Sequence, residues 1–241
     1  MKDRTKLCNV VAVAAMTLFI VSLLLTSFQI AIYGDPEYRF YEKEYRKYEV
    51  AESLDMEMDD IMDVTDDMMA YLIGEREELS VVTNVDGKRQ DFFNDQDRFH
   101  MGEVRDLFLG GLKLRNVLLI ASAVLILLLA VWKADLVRVL KRGYFRALAL
   151  IGVLAALLAG FISVDFNRCF TIFHEIFFDN DLWLFDPATD YMIRMLPEGF
   201  FFDFVLRIGG VFALSVLLMA AFLIGMSHLL RGRKEGSCAM K

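Results

Sequence analysis

Two of the three histidines in this chain, His100 and His174, are candidates for acid–base chemistry. His100 lies in an amphipathic segment that leads into an apolar stretch, and His174 lies in the aromatic run 170–187. Imidazole is the side chain whose unperturbed pKa allows it both to accept and to donate a proton near neutral pH. One ring could therefore remove a proton from an attacking group while the other supplies a proton to a leaving oxygen. Such a pair requires a substrate that brings its own nucleophile.

Other kinds of site use some of the same residues. With a carboxylate from Glu175, Asp179 or Asp181, the two histidines would match a metal site built from two His and one carboxylate. The sequence has no HExxH motif, and we expect neither a metal nor a cofactor. A nucleophilic serine is not expected either, because G-x-S-x-G and S-x-x-K motifs are absent from the sequence.

Four long uncharged blocks must position the histidines. Each is close to or longer than the minimum of about 17 residues that spans a bilayer core of about 30 Å. The blocks are Leu7–Tyr33, Asn116–Trp132, Ala147–Val164 and Ile208–Met226. Four such blocks in a chain that is 56% apolar indicate a polytopic membrane protein. The first block ends without a small-residue cleavage site, so we expect an uncleaved anchor rather than a signal peptide.

Basic residues predict how these spans are oriented. Lysines and arginines cluster near one end of each block: Lys2, Arg4, Lys6, Lys133, Arg138, Lys141, Arg142, Arg146, Arg231, Arg233 and Lys234. The positive-inside rule then places both termini in the cytoplasm and the segments 34–112 and 167–199 outside. The net charge of −7 arises largely in the outer segment, so no nucleic-acid partner is expected. We expect a multi-pass plasma-membrane protein whose site faces outward.

The outer segment 34–112 is predicted to contain helices and a β-hairpin. Strand-forming residues flank the sequence Asn84-Val-Asp-Gly87, and Asp-Gly favours the positive φ of a tight turn. Asn94 is the expected N-cap of the helix that carries His100. Gly110-Gly111 is expected to bend this helix before the second span.

The predicted fold class is therefore mainly α. It is a polytopic membrane protein with four transmembrane helices and a small extracytoplasmic α+β cap, in which helices accompany a β-hairpin. The expected regions are the N-terminus with the first span (1–33), the acidic outer domain (34–112), spans two and three with their basic loop (113–165), the outer loop with the second histidine (166–200), and the fourth span with the tail (201–241). Tyr41, Tyr45 and Tyr48 share one side of a predicted helix and are expected at the membrane surface.

Two blocks of sequence resemble the lipoprotein intramolecular transacylase (Lit) family, four-span proteins of Gram-positive bacteria. The first is His100-Met-x-x-Val104-Arg105, and the second is the run 173–187, FHEIFFDNDLWLFDP. The resemblance covers nearly the whole chain. It implies transfer of the sn-2 acyl chain of a diacylglyceryl-modified lipoprotein to the α-amino group of the same N-terminal cysteine, which gives the lyso-form. It also implies that His100 and His174 are the catalytic pair, that diacylated lipoproteins are the substrates, and that membrane lipid surrounds the enzyme.

The implied activity agrees with the residues, because the substrate's amine is the nucleophile and no acyl-enzyme is needed. The family commonly has an acidic residue after its His-Met pair, whereas this chain has Gly102-Glu103. The residues expected to support the pair are Glu103, Arg105, Asn180, Asp181, Trp183 and Asp186. Two other classes of function stay open: a non-catalytic membrane assembly or export factor, and a metal-dependent membrane hydrolase.

Overall fold

The computed structural model describes residues 2–239 and the side chains of residues 4–230. In chain order the elements are α1 (Lys2–Tyr33), α2 (Arg39–Lys47), α3 (Val50–Leu54), α4 (Met58–Leu72), β1 (Val82–Val85), β2 (Lys88–Asp91), α5 (Asp95–Val131), α6 (Leu136–Val164), α7 (Phe166–Phe177), α8 (Tyr191–Met195) and α9 (Glu198–Ala239). The prediction of a mainly α fold with one small hairpin is confirmed.

Four of these helices, α1, α5, α6 and α9, are long and apolar enough to cross a membrane. This confirms the prediction of four spans. α5 has 37 residues. At a rise of 1.5 Å per residue it is about 55 Å long, so it extends well beyond a hydrocarbon core of about 30 Å. Four of the basic side chains used to predict the orientation lie outside the side chains described: Lys2, Arg231, Arg233 and Lys234.

The residues form two compact units. The first comprises the chain up to residue 28, residues 113–160, and the chain from residue 208 onward. Its core joins α1, α6 and α9 through Met16, Ile20, Tyr144 and Leu223. Gly143 lies so close to α1 that a Cβ there would be 2.6 Å from the Ala12 carbonyl oxygen. A glycine is therefore required where these two spans touch.

The second unit comprises residues 29–112 and 161–207, and it contains both candidate histidines. Its core is built from α2, α4, the hairpin and the start of α9, and includes Tyr45, Ile61, Phe92 and Phe200. The strands β1 and β2 pair antiparallel from Val82↔Asp91 to Val85↔Lys88. Asp86 and Gly87 between them both have positive φ, 49° and 69°, which is the turn geometry that Asp-Gly favours. The predicted hairpin is confirmed.

The N-cap prediction for α5 is also confirmed. The side chain of Asn94 accepts a hydrogen bond from the backbone N–H of Asp97 at 2.9 Å, and the Asp97 carboxylate accepts one from the N–H of Asn94 at 2.9 Å. This reciprocal pair satisfies backbone donors that a helix start leaves without partners. These two hydrogen bonds fix the residue at which α5 begins. The position of His100 around the helix follows from that start.

α5 is one unbroken helix through Gly110-Gly111, where a bend was predicted, so these glycines do not end the helix. Two glycines cost a helix about 1 kcal/mol each, which is less than the cost of leaving backbone groups unpaired near lipid. Tyr41 and Tyr45 are buried rather than at the membrane surface, because their rings pack against Phe200 on α9.

Candidate active site

His100 and His174 lie side by side, although 74 positions separate them in the sequence. Their ring centroids are 5.8 Å apart and their planes are inclined by 28°. His100 comes from the second turn of α5, and His174 comes from the last turn of α7. They are 5% and 7% exposed. The fold thus brings two nearly buried imidazoles to within reach of one small substrate group.

Four aromatic side chains pack against the two imidazole rings. His174 lies against Phe170 at 4.1 Å and against Trp183 at 4.8 Å between ring centroids. His100 lies against Phe178 at 4.8 Å and Phe185 at 5.4 Å. These contacts account for the burial of the imidazoles, and they keep water from most of their surface.

The hydrogen-bond partner of His174 determines its tautomer. Its Nδ1 is 2.7 Å from the carbonyl oxygen of Phe170, one turn earlier in α7. A carbonyl oxygen only accepts hydrogen bonds, so Nδ1 carries the hydrogen and donates it. The other ring nitrogen, Nε2, then holds a lone pair when the ring is neutral. His174 is therefore set up to accept a proton through Nε2.

His100 faces a carboxylate. Its Nδ1 is 3.9 Å from Oε2 of Glu103, one turn later in α5. Both atoms are buried, and neither has a hydrogen-bond partner among the residues whose side chains are described. The other carboxylate oxygen of Glu103, Oε1, accepts a hydrogen bond from Nδ2 of Asn180 at 2.8 Å. Unpartnered buried polar atoms are rare and costly. A shift of about 1 Å would join these two in a hydrogen bond.

α7 is not among the candidate membrane spans. The first turns of α5, which carry His100, have charged side chains from Asp95 to Asp106 and precede the uncharged stretch that begins at Asn116. Burial, together with the neighbouring His174, lowers the pKa of His100 to about 4. Burial also lowers the pKa of His174, against the hydrogen bond with Phe170, which raises it. Both rings are therefore neutral near pH 7 and able to accept protons.

The lowered pKa of His100 predicts how protein stability depends on pH. Between the ordinary pKa of 6.5 and the folded-state value of about 4, the unfolded chain binds a proton at this residue and the folded chain does not. The free energy of unfolding should therefore fall as the pH falls through this range. We expect His100→Gln to make thermal unfolding midpoints less sensitive to pH between 6.5 and 4. Equal pH dependence in the two proteins would contradict this prediction.

Three of the six predicted supporting residues lie at the histidine pair. They are Glu103, Asn180 and Trp183. Sequence reasoning missed Gln96, whose side-chain amide donates to the carbonyl oxygens of Leu182 and Leu184 at 3.0 and 3.1 Å. Gln96 lies four residues before His100, on the same side of α5, and that spacing was the available signal.

The other three supporting residues have partners elsewhere. The guanidinium of Arg105 lies 4.7 Å from the centre of the Tyr71 ring. Asp186 shapes a turn, in which its carboxylate accepts from the N–H of Ala188 at 2.9 Å. Asp181 is exposed, and its carbonyl accepts from the N–H of Leu184 at 3.1 Å.

A metal site at the two histidines would need at least one more ligand side chain beside them. Across the part of the chain that the structure describes, no group of three or more His, Cys, Asp or Glu side chains is arranged to hold a metal ion.

Comparison with known proteins gives two findings. A family model described as "Lipoprotein intramolecular transacylase Lit" matches residues 13–201. The fold resembles the solved structure of the membrane integral lipoprotein intramolecular transacylase Lit from Bacillus cereus, with a TM-score of 0.70 and 19% sequence identity. That match covers 95% of this chain and all of the other. A structure of the same protein with one histidine changed to alanine has a TM-score of 0.72, at 19% identity, and covers 95% of this chain and 98% of the other. No curated protein sequence matches significantly.

Proposed function

Because the chain belongs to the lipoprotein intramolecular transacylase (Lit) family, we propose that it moves the sn-2 acyl chain of a diacylated lipoprotein to the α-amino group of that lipoprotein's N-terminal cysteine. The product is the lyso-form lipoprotein. The observation that carries the proposal is the pair of nearly buried imidazoles, His100 and His174, with ring centroids 5.8 Å apart. This arrangement provides two proton carriers for one amine and one ester.

The proposed location is the plasma membrane, with both termini in the cytoplasm and the histidine pair outside. Basic residues at the predicted inner ends of the spans support this orientation. The substrate's acyl chains stay in the bilayer, and its amine and ester reach the pair from the outer face. Membrane lipid and diacylated lipoproteins are then the only partners that the activity requires.

The substrate's amine is the nucleophile. Its nitrogen attacks the carbonyl carbon of the sn-2 ester, a C–N bond forms, and the bond from that carbon to the glyceryl oxygen breaks. Amine and ester belong to one molecule, and well-oriented intramolecular reactions reach effective concentrations of about 10⁵ M or more. The protein therefore has to orient the two groups and move protons.

Proton transfer can be divided between the histidines. An α-ammonium group has an ordinary pKa of about 7.7–8 and must lose two protons in this reaction. The first goes to Nε2 of His100, and Glu103 moves onto Nδ1–H to stabilise the imidazolium. The second goes to Nε2 of His174 as the C–N bond forms. His100 then returns its proton to the departing glyceryl oxygen, and His174 releases one to water. One proton is released overall, so charge and atoms balance.

Mass spectrometry of a lipoprotein N-terminus tests the proposed function. We expect that a host without transacylase activity makes only diacylglyceryl-modified lipoprotein, and that expressing this chain moves one acyl group onto the cysteine nitrogen. Identical spectra with and without the chain would overturn the proposal in favour of a non-catalytic assembly or export factor. Loss of an acyl group without its appearance on nitrogen, together with inhibition by a chelator, would instead indicate a metal-dependent hydrolase.

A further inference from the structure

α7 exposes large apolar side chains on one side. Phe173 is 42% exposed, Ile176 69% and Phe177 51%. With about 100° between successive residues, these three lie within about 100° of arc around the helix. The exposed, charged side chain of Glu175 lies about 160° around the helix from Phe177. His174 lies on a third side, which is buried.

α7 follows the last residues of α6 and packs against the first turns of α9. Only Asp165 separates it from α6, and its side chain caps α7 by accepting from the N–H of Arg168 at 3.0 Å. α7 packs on the first turns of α9 through two ring pairs. Phe166 and Phe202 have centroids 5.5 Å apart, and Phe170 and Phe201 have centroids 5.2 Å apart. The end of α6 and the start of α9 belong to candidate membrane spans.

The apolar surface of α7 is continuous along the chain with the exposed surface of α6. Val164, the last residue of α6, is 84% exposed. After α7, the loop adds Leu182 and Leu184, which are 36% and 57% exposed. An amphipathic helix in the bilayer interface has exposed apolar residues that adjoin the surface of the spans. α7 has this arrangement.

We propose that α7 is an interfacial helix, with Phe173, Ile176 and Phe177 among the acyl chains of the adjoining leaflet. Glu175 and Arg168, both exposed, then face the headgroups and water. Burial of this apolar surface among acyl chains stabilises the position. The occupant of the apolar side of α7 is thus the lipid itself.

The consequence of this placement for catalysis rests on the proposed function. His174 is next to Phe173, with ring centroids 5.4 Å apart, so a helix at this depth holds the imidazole close to the level of glycerol esters. A diacylated lipoprotein would then reach the site sideways, along the apolar side of α7. Its acyl chains would not have to leave the bilayer.

Spin labels at matched positions test the depth of α7 without measuring activity. Phe177→Cys and Glu175→Cys are labelled in a chain whose own cysteines, Cys8, Cys169 and Cys238, are replaced by serine. The labelled proteins are placed in vesicles of phosphatidylglycerol and phosphatidylcholine. We expect the label at 177 to collide readily with oxygen and poorly with a water-soluble nickel chelate. The label at 175 should show the reverse. Equal exposure of both labels to the nickel chelate would overturn the proposal.

Activity measurements then separate this proposal from the function on which it rests. We expect Phe177→Lys to lower kcat/KM for a vesicle-bound lipoprotein about tenfold or more, because it displaces His174 relative to the ester. Phe177→Leu keeps an apolar side chain and should lose much less activity than Phe177→Lys. Glu175→Lys, on the opposite side of α7, should stay close to the unmodified protein. Lyso-form production with a water-exposed label at 177 would overturn only the interfacial placement. A lipid-buried label at 177 without any lyso-form product would overturn only the proposed function.

Discussion

Replacing either His100 or His174 with alanine is expected to lower lyso-form production by about 10²- to 10⁴-fold, the usual contribution of a general acid or base. Each imidazole carries a different proton in the proposed reaction, so neither can stand in for the other. His174 presents Nε2 as an acceptor because its Nδ1–H is held by the Phe170 carbonyl at 2.7 Å. The measurement is the initial rate of N-acylation of a purified diacylated lipoprotein in vesicles, followed by mass spectrometry.

The third histidine provides a matched control. His228 is exposed on α9 and belongs to the first unit, whereas the pair belongs to the second. His228→Ala makes the same chemical change and should leave the rate unchanged. Amounts of each variant in the membrane and their thermal unfolding midpoints show whether a loss of rate is a loss of folded protein. Full activity in His100→Ala or His174→Ala would contradict the division of protons between the two rings.

Replacing Glu103 with glutamine is expected to lower kcat on the order of 10²-fold or more, as when a catalytic histidine loses its carboxylate partner. Glu103 acts through His100: its Oε2 faces Nδ1 at 3.9 Å, and Asn180 holds its other oxygen at 2.8 Å. A carboxylate raises the pKa of a facing imidazolium. The bound amine and His100 share one proton, so the basic limb of the kcat profile reports loss of that proton from the pair. Removing the carboxylate that favours the protonated pair should therefore move this limb to lower pH in Glu103→Gln. KM should change little, because Glu103 is a positioning residue.

Two further variants distinguish this role from a structural one. Glu103→Asp keeps the charge and should recover part of kcat and of the pH profile. Glu175→Gln neutralises an exposed carboxylate on α7 and should behave as the unmodified protein. Asn180→Ala removes the group that orients Glu103 and should give a smaller loss than Glu103→Gln. If Glu103→Gln kept both kcat and the pH profile, His100 would have to carry its proton without help from this carboxylate.

Local signals in the sequence were enough for the spans, the hairpin and the cap. An uncharged block of sufficient length is helical in a membrane whatever surrounds it, because its backbone groups have no other partners there. Asp86-Gly87 and Asn94 act within a few residues of themselves, through positive φ and a side-chain hydrogen bond to the helix start. Such features depend little on the rest of the chain.

For the aromatic residues, the sequence pattern alone does not predict which side chains are buried. Tyr41 and Tyr45 have the spacing of a membrane-surface stripe, yet the structure buries them against α9. Phe173 and Phe177 have a similar helical spacing and are exposed. The pattern gives the side of a helix on which aromatics lie, and the neighbouring element decides whether that side is covered.

The sequence by itself determined the four spans, the hairpin and the two histidines that merit attention, since each follows from local composition or from residue chemistry. Only the tertiary structure decided that those histidines lie 5.8 Å apart, that Asn180 holds Glu103 beside His100, and that Arg105 turns instead to Tyr71. The physical reason is distance along the chain. Asn180 and Glu103 are 77 positions apart, and only packing between α5 and the loop after α7 selects which side chains meet.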